Sequence, residues 1–224
     1  MVEDLAHKRP WLLASLAFGL TLPFAQNLPI PGVALVLWKM CGVGFLIPYA
    51  LRRHHDGQFL WLAMVLGLYS LADGVLEQST FWGGLIFAVG HVTAIALYLK
   101  HRRVLMAPSQ KILALTLLVV TPFIAWYLPA DRAIASQTAL YGLIVGGMAA
   151  AAWSSNFPRY RVGAGAVMFV FSDMVLVAQM GPLAGWVGQP YTVWYFYYLG
   201  VLLIAVGVVQ TLIKRGYHVE NGDD

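Results

Sequence analysis

Taken as a pattern of apolar and polar positions, the chain is a series of long hydrophobic runs separated by short polar joins. Eight runs stand out: 11–28, 32–51, 59–76, 81–100, 111–128, 136–152, 161–180 and 192–213. Each has about the 17–25 residues that a helix needs to cross a bilayer. None shows the two-residue alternation of a transmembrane β-strand. The pattern therefore predicts an all-α, polytopic integral membrane protein with eight transmembrane helices. The joins are short, so 1–213 reads as a single transmembrane domain and 214–224 as an unstructured polar tail. The opening HKRPWLLASLAFGL has the order of a signal peptide, but its apolar run is too long and reads as the first span.

Composition agrees with this picture: 60% of residues are hydrophobic and 11% charged, against about 25% charged in soluble domains. The charges then set orientation, because cytoplasmic loops collect Lys and Arg. With the N-terminus in the cytoplasm, twelve of the fourteen basic residues fall at cytoplasmic ends: Lys8, Arg9, Arg52, Arg53, Lys100, Arg102, Arg103, Lys111, Arg159, Arg161, Lys214 and Arg215. Only Arg132 falls on the opposite side, and Lys39 lies inside a span. Both termini are thus expected in the cytoplasm, with the chain in a bacterial inner membrane. The net charge of +4 comes from span-flanking residues and gives no reason to expect a nucleic-acid partner. Cys41 is the one cysteine, so no disulfide within the chain and no cysteine metal cluster is expected.

The candidate chemistry lies in two stretches that carry a carboxylate inside an apolar run. These are LYSLADGVLE around Asp73 and VFSDMVLVAQ around Asp173. A carboxylate in hydrocarbon is costly and is a functional candidate by default. The halves of the chain also look related. PFAQNLP at 23–29 answers PFIAWYLP at 122–129, and DGVL at 73–76 answers DMVL at 173–176, at offsets of 99 to 100 residues. Four spans per half would make this a parallel repeat, with the two aspartates on equivalent third spans. Coincidence among Pro-ended apolar runs is the plain alternative.

Depth groups further residues with them. Counted from the outer span ends at about 1.5 Å per residue, Asp73, Asp173 and Lys39 fall in the outer half, as do Tyr197 and Tyr198, while His91 is nearer mid-bilayer. All could line one outward cavity. Asp73 could instead sit near the headgroups. Its i+4 neighbour Glu77 shares its helical face and reads as interfacial. Lys39 could pair with Asp173 or snorkel to the interface. His91 could be a packed, hydrogen-bonded ring. The aromatics Tyr191, Trp194, Tyr195, Tyr197 and Tyr198 read mostly as an interfacial belt. Gly142 and Gly146 form a small-xxx-small pair for close helix packing. His54, His55 and Asp56 read as a solvated cytoplasmic loop. A zinc hydrolase would need about three ligands, and His91 is the one histidine within a span. A serine triad has no elbow motif here.

Together LYSLADGVLE, FWGGLIFAVGHVTAIALYL, GAVMFVFSDMVLVAQ and YYLGVLLIAVG resemble the YhhN family of lysoplasmalogenases over roughly 35–210. Lys39 is similar to a lysine in the second span of that family. Four positions depart from its pattern, Met40, Ala72, Met174 and Val201, and imply a changed headgroup preference or lost activity. The resemblance implies hydrolysis of the vinyl ether of a lysoplasmalogen to a fatty aldehyde and glycerophospho-ethanolamine or -choline. Asp73 and Asp173 would be catalytic, with His91, Lys39, Tyr198, Glu77 and Ser172 in support. The partners would be the lysophospholipid and surrounding membrane lipid.

The residues suit that chemistry. A vinyl ether is cleaved by protonation of its outer alkene carbon and capture of the oxocarbenium ion by water. Two carboxyls sharing an apolar site do not both ionise, which leaves one to carry the proton. No metal or cofactor is called for. The competing reading is a transporter or channel, since intramembrane Asp, Lys and His also mark proton and ion pathways. A third, a scaffold subunit, would leave both aspartates freely replaceable.

Overall fold

The computed structural model describes residues 9–52 and 57–221. His54, His55 and Asp56 lie outside the described residues, as do the basic residues Lys8 and Arg53. Among those described, the regular structure is helical: α1 (Pro10–Ala25), α2 (Gly32–Gly44), α3 (Leu46–Leu51), α4 (Gly57–Leu76), α5 (Thr80–Lys100), α6 (Pro108–Tyr127), α7 (Ala135–Ser154), α8 (Ala164–Ala178) and α9 (Gln189–Asn221). Seven spans are long and apolar enough to cross a membrane, with α2 and α3 counted together as Gly32–Leu51. The run expected at 11–28 is instead a helix of 16 residues. It stops at Ala25, four residues before Pro29, and the Asn27 side chain donates to the Pro23 carbonyl at 3.0 Å, satisfying one of its free C-terminal acceptors. The break between α2 and α3 at Phe45 follows from Pro48, which has no N–H to give the Gly44 carbonyl four residues back. At the other end, α9 continues to Asn221, so most of the stretch read as an unstructured tail is helical.

The chain divides into two compact units. Described residues up to Gly90, with those from Val209 onward, form the first; His91–Val208 form the second. In the first, α1 packs on α2 and α3, and α4 packs on both. Lipid tails are as apolar as leucine, so helices in a membrane are held by close packing and hydrogen bonds. Side-chain bonds to backbone carbonyls reach across these helices. Ser15 donates to the Gly42 carbonyl at 2.5 Å, the Trp38 indole to the Phe18 carbonyl at 3.1 Å, and Ser70 to the Met40 carbonyl at 2.9 Å.

In the second unit, α6 and α7 pack closely along their length, and glycine is the reason. A Cβ at Gly142 would lie 2.6 Å from that of Ala125, and one at Gly146 would lie 2.6 Å from the Leu117 carbonyl oxygen. The small-xxx-small pair thus faces α6. Beyond α7, one wide π-helical turn (Arg159–Gly163) leads into α8. Here α8 and α9 touch through backbone: a Cβ at Gly165 would meet the Gly200 oxygen at 2.5 Å. Backbone hydrogen bonds close both ends of the unit. Asn156 donates to His101 at 2.7 Å and Arg103 to Ser154 at 2.9 Å at one end, and Ala130 donates to Met180 at 2.9 Å at the other. Near that second end, Arg132 rests 4.2 Å above the Trp126 ring and donates to the Trp126 carbonyl at 2.8 Å, at the C-terminus of α6 where a cation is favoured.

Candidate functional site

The second unit holds a hydrogen-bonded chain of three polar side chains. Tyr141 of α7 donates its hydroxyl to Asp173 Oδ2 of α8 at 2.8 Å. His91 Nε2 of α5 lies 3.3 Å from the same hydroxyl oxygen. The direct His91 Nε2 to Asp173 Oδ2 separation is 3.9 Å, beyond hydrogen-bond reach, so the tyrosine is the bridge. His91 is fully buried and Asp173 is 6% exposed. While Tyr141 keeps its proton and donates to Asp173, the tyrosine oxygen accepts from His91, whose Nε2 then carries hydrogen. With the proton on Asp173 instead, both bonds can reverse toward His91. The chain can therefore pass a proton between its ends without moving a heavy atom.

Local packing explains why these groups meet. Gly142 and Gly146 press one face of α7 against α6. Tyr141, one residue before Gly142, is rotated by about 100° from it and points toward α8. Ser172, next to Asp173, donates to the Val193 carbonyl at 2.8 Å and fixes α8 against α9. An aromatic shell surrounds the histidine. Phe169 meets the His91 ring edge-on at 4.8 Å between centroids, and Tyr197 meets Phe169 edge-on at 5.0 Å. Trp194 and Tyr198 stack at 5.8 Å. This corrects the reading of the aromatics as mostly an interfacial belt. Tyr191 is exposed, but Trp194, Tyr197 and Tyr198 are buried and pack within the unit.

The first unit holds the other candidates. Asp73 lies on α4 three residues before its end and is buried within the protein, 1% exposed. Lys39 Nζ meets Glu77 Oε1 at 2.7 Å. The lysine that the sequence allowed to pair with Asp173 or to snorkel alone is thus paired with Glu77. Among the described residues no group of three His, Cys, Asp or Glu side chains gathers as a metal site.

The model of the YhhN family matches residues 34–208, most of the chain. The chain belongs to the YhhN family. That range contains every candidate named above, Lys39, Asp73, Glu77, His91, Ser172, Asp173 and Tyr198, and Tyr141 with them. No curated protein and no solved structure matches the chain.

Tyr141 is the residue that the sequence reading of this YhhN protein passed over. Its signal was depth. Tyr141 lies six residues inside the start of α7 and Asp173 five inside the end of α8, levels that differ by about one residue's rise of 1.5 Å between antiparallel neighbours. A tyrosine in an apolar run looks like packing until its hydroxyl is asked for a partner.

Proposed function

We propose that this YhhN protein is a membrane hydrolase, a lysoplasmalogenase that cleaves the vinyl ether bond of its lipid substrate. Asp73 and Asp173 are its acid/base carboxyls. The observation that carries the reading is the buried Asp173–Tyr141–His91 chain, in a family member whose other buried carboxylate among the described residues is Asp73. One carboxyl gives its proton to the outer alkene carbon, leaving an oxocarbenium ion. Water adds to the carbon bearing the oxygen and loses a proton to the second carboxylate. The hemiacetal formed collapses to a fatty aldehyde and the glycerol hydroxyl. One water is consumed, and the protons taken and returned balance. Tyr141 and His91 hold the Asp173 carboxyl in place and relay its proton. The repeat offset of 100 residues between the aspartates supports treating them as a pair, within two parallel four-helix repeats. The orientation proposed has both termini in the cytoplasm.

The test is aldehyde release from a lysoplasmalogen by the purified protein in detergent. With no gradient present, turnover supports an enzyme; none under any detergent or lipid condition would contradict it. The same hydrogen-bonded chain gives a second reading its footing, a proton pathway through a transporter. Proton-coupled flux in liposomes without aldehyde formation would favour that reading.

A further inference from the structure

A groove of about 750 Å³ lies within the first unit, between α2 and α4 and the end of α1. Its walls are mainly aliphatic, and Val33 and Leu71 at its edge are 76% and 47% exposed, so it opens toward the surroundings of the helices. Its polar lining consists of the Lys39–Glu77 pair and the amides of Gln26 and Gln78. Among the described residues no aromatic ring lines it. The pair is not a closed structural lock: the Glu77 side chain is 46% exposed, and pairs of that exposure contribute little to stability. It can open for a ligand that supplies each partner with an opposite charge.

We infer that this groove holds the head group of a zwitterionic lysophospholipid carrying a primary amine, with phosphate on Lys39 and ammonium on Glu77. The inference rests on the lysophospholipid reading above and adds the part of the substrate that reading leaves open. A phosphate on Lys39 replaces the carboxylate that the lysine now holds. A primary ammonium on Glu77 replaces the lysine, with an N–H to donate in the same way. A quaternary ammonium has no N–H and is recognised by aromatic cages, which this groove lacks. A head group bearing phosphate alone would leave Glu77 facing a like charge. Position fits as well. Glu77 directly follows the last residue of α4, four positions beyond Asp73 and about 6 Å on at the helical rise, and Gly74, next to Asp73, lines the groove. A lipid held by its head at Lys39 and Glu77 can run its glycerol toward Asp73 and its chain along the aliphatic wall.

Binding is measured apart from turnover by titrating the full chain in detergent with saturated ether lysolipids, which have no alkene to cleave. The arms are 1-O-hexadecyl glycerophosphoethanolamine, its phosphocholine counterpart and the phosphate-only lipid, with chain-free glycerophosphoethanolamine as the head group alone. The ethanolamine lipid should bind about tenfold tighter than the choline and phosphate-only lipids, the worth of one charge-assisted hydrogen bond. The chain-free head group should bind weakly. Glu77→Gln should erase the preference, and Lys39→Met should weaken every phosphate-bearing lipid. The exchange Lys39→Glu with Glu77→Lys keeps an ion pair, so a merely structural pair would leave the preference unchanged; recognition predicts its loss in a protein of unchanged melting temperature. Equal binding of the three lipids, or a preference surviving Glu77→Gln or the exchange, would overturn the inference. None of these outcomes depends on whether the vinyl ether is cleaved.

Discussion

The chain handles charge in two contrasting ways. Around Asp173, buried polar atoms sit among rings and meet one another through a tyrosine hydroxyl, with Tyr141 and His91 as the partners. Around Glu77, a full ion pair lies half open in an aliphatic groove. A sealed hydrogen-bonded chain suits moving a proton, because low dielectric and fixed geometry strengthen each hydrogen bond. An open ion pair suits exchanging partners. The proposed division is that the first region does chemistry and the second grips the ligand.

The sharpest way to break that contrast is to remove charge from the sealed region. Asp173→Asn, and likewise Asp73→Asn, should lower kcat/KM for a lysoplasmalogen about 1,000-fold, within the range for a lost general acid or base, while the helical circular dichroism stays unchanged. Near-full turnover by either variant would end the paired-carboxyl account. Tyr141→Phe keeps the ring and removes the bridge. It should cost about 10- to 100-fold in kcat, as expected for one hydrogen bond to a charged group, with KM little changed. His91→Ala should cost less, about tenfold on the same scale, since its hydrogen bond toward Asp173 runs through the tyrosine. An equal or greater loss for His91→Ala would assign the histidine a direct role.

The packing behind the sealed region can be tested next. Gly146→Ala brings a Cβ against the Leu117 carbonyl and should destabilise the protein by about 1–3 kcal/mol, the usual range for overpacking. Thermal unfolding in detergent should show it as a lower melting temperature. An unchanged melting temperature would mean that α6 and α7 can part at that point at no cost. The smallest effect belongs to the open groove: Glu77→Gln should raise KM for an ethanolamine lysoplasmalogen by up to about tenfold and leave kcat close to its starting value. A drop in kcat as large as that of Tyr141→Phe would erase the difference between the regions.

Much of this was legible in residue order, for physical reasons. Apolar run length predicted the spans, since a bilayer imposes a minimum length. It overreached at α1, where closely spaced prolines end the helix early. Gly142 and Gly146 showed their role through spacing, because residues four apart share a helix face. Asp73 and Asp173 stood out because charge in an apolar run is rare. Partner choice was not legible. Lys39 could reach several carboxylates by depth, and only the rotation of α2 against α4 selects Glu77. Tyr141 was hidden because a tyrosine serves as apolar filler or as a donor with the same letter. The burial of Trp194 and Tyr198 depends on the face that α9 presents, and aromatics at a span end look the same in sequence whether they meet lipid or protein.

The central claim is that the reaction begins with proton transfer to carbon from a buried carboxyl. It is tested most directly by running the purified protein on a lysoplasmalogen in heavy water, with borohydride present to trap the aldehyde before it exchanges. The account predicts one solvent deuterium on the carbon next to the former carbonyl, and no cleavage of the ester-linked or saturated-ether analogue. Alcohol recovered without that deuterium, or equal turnover of the ester analogue, would contradict it and point to ordinary acyl hydrolysis.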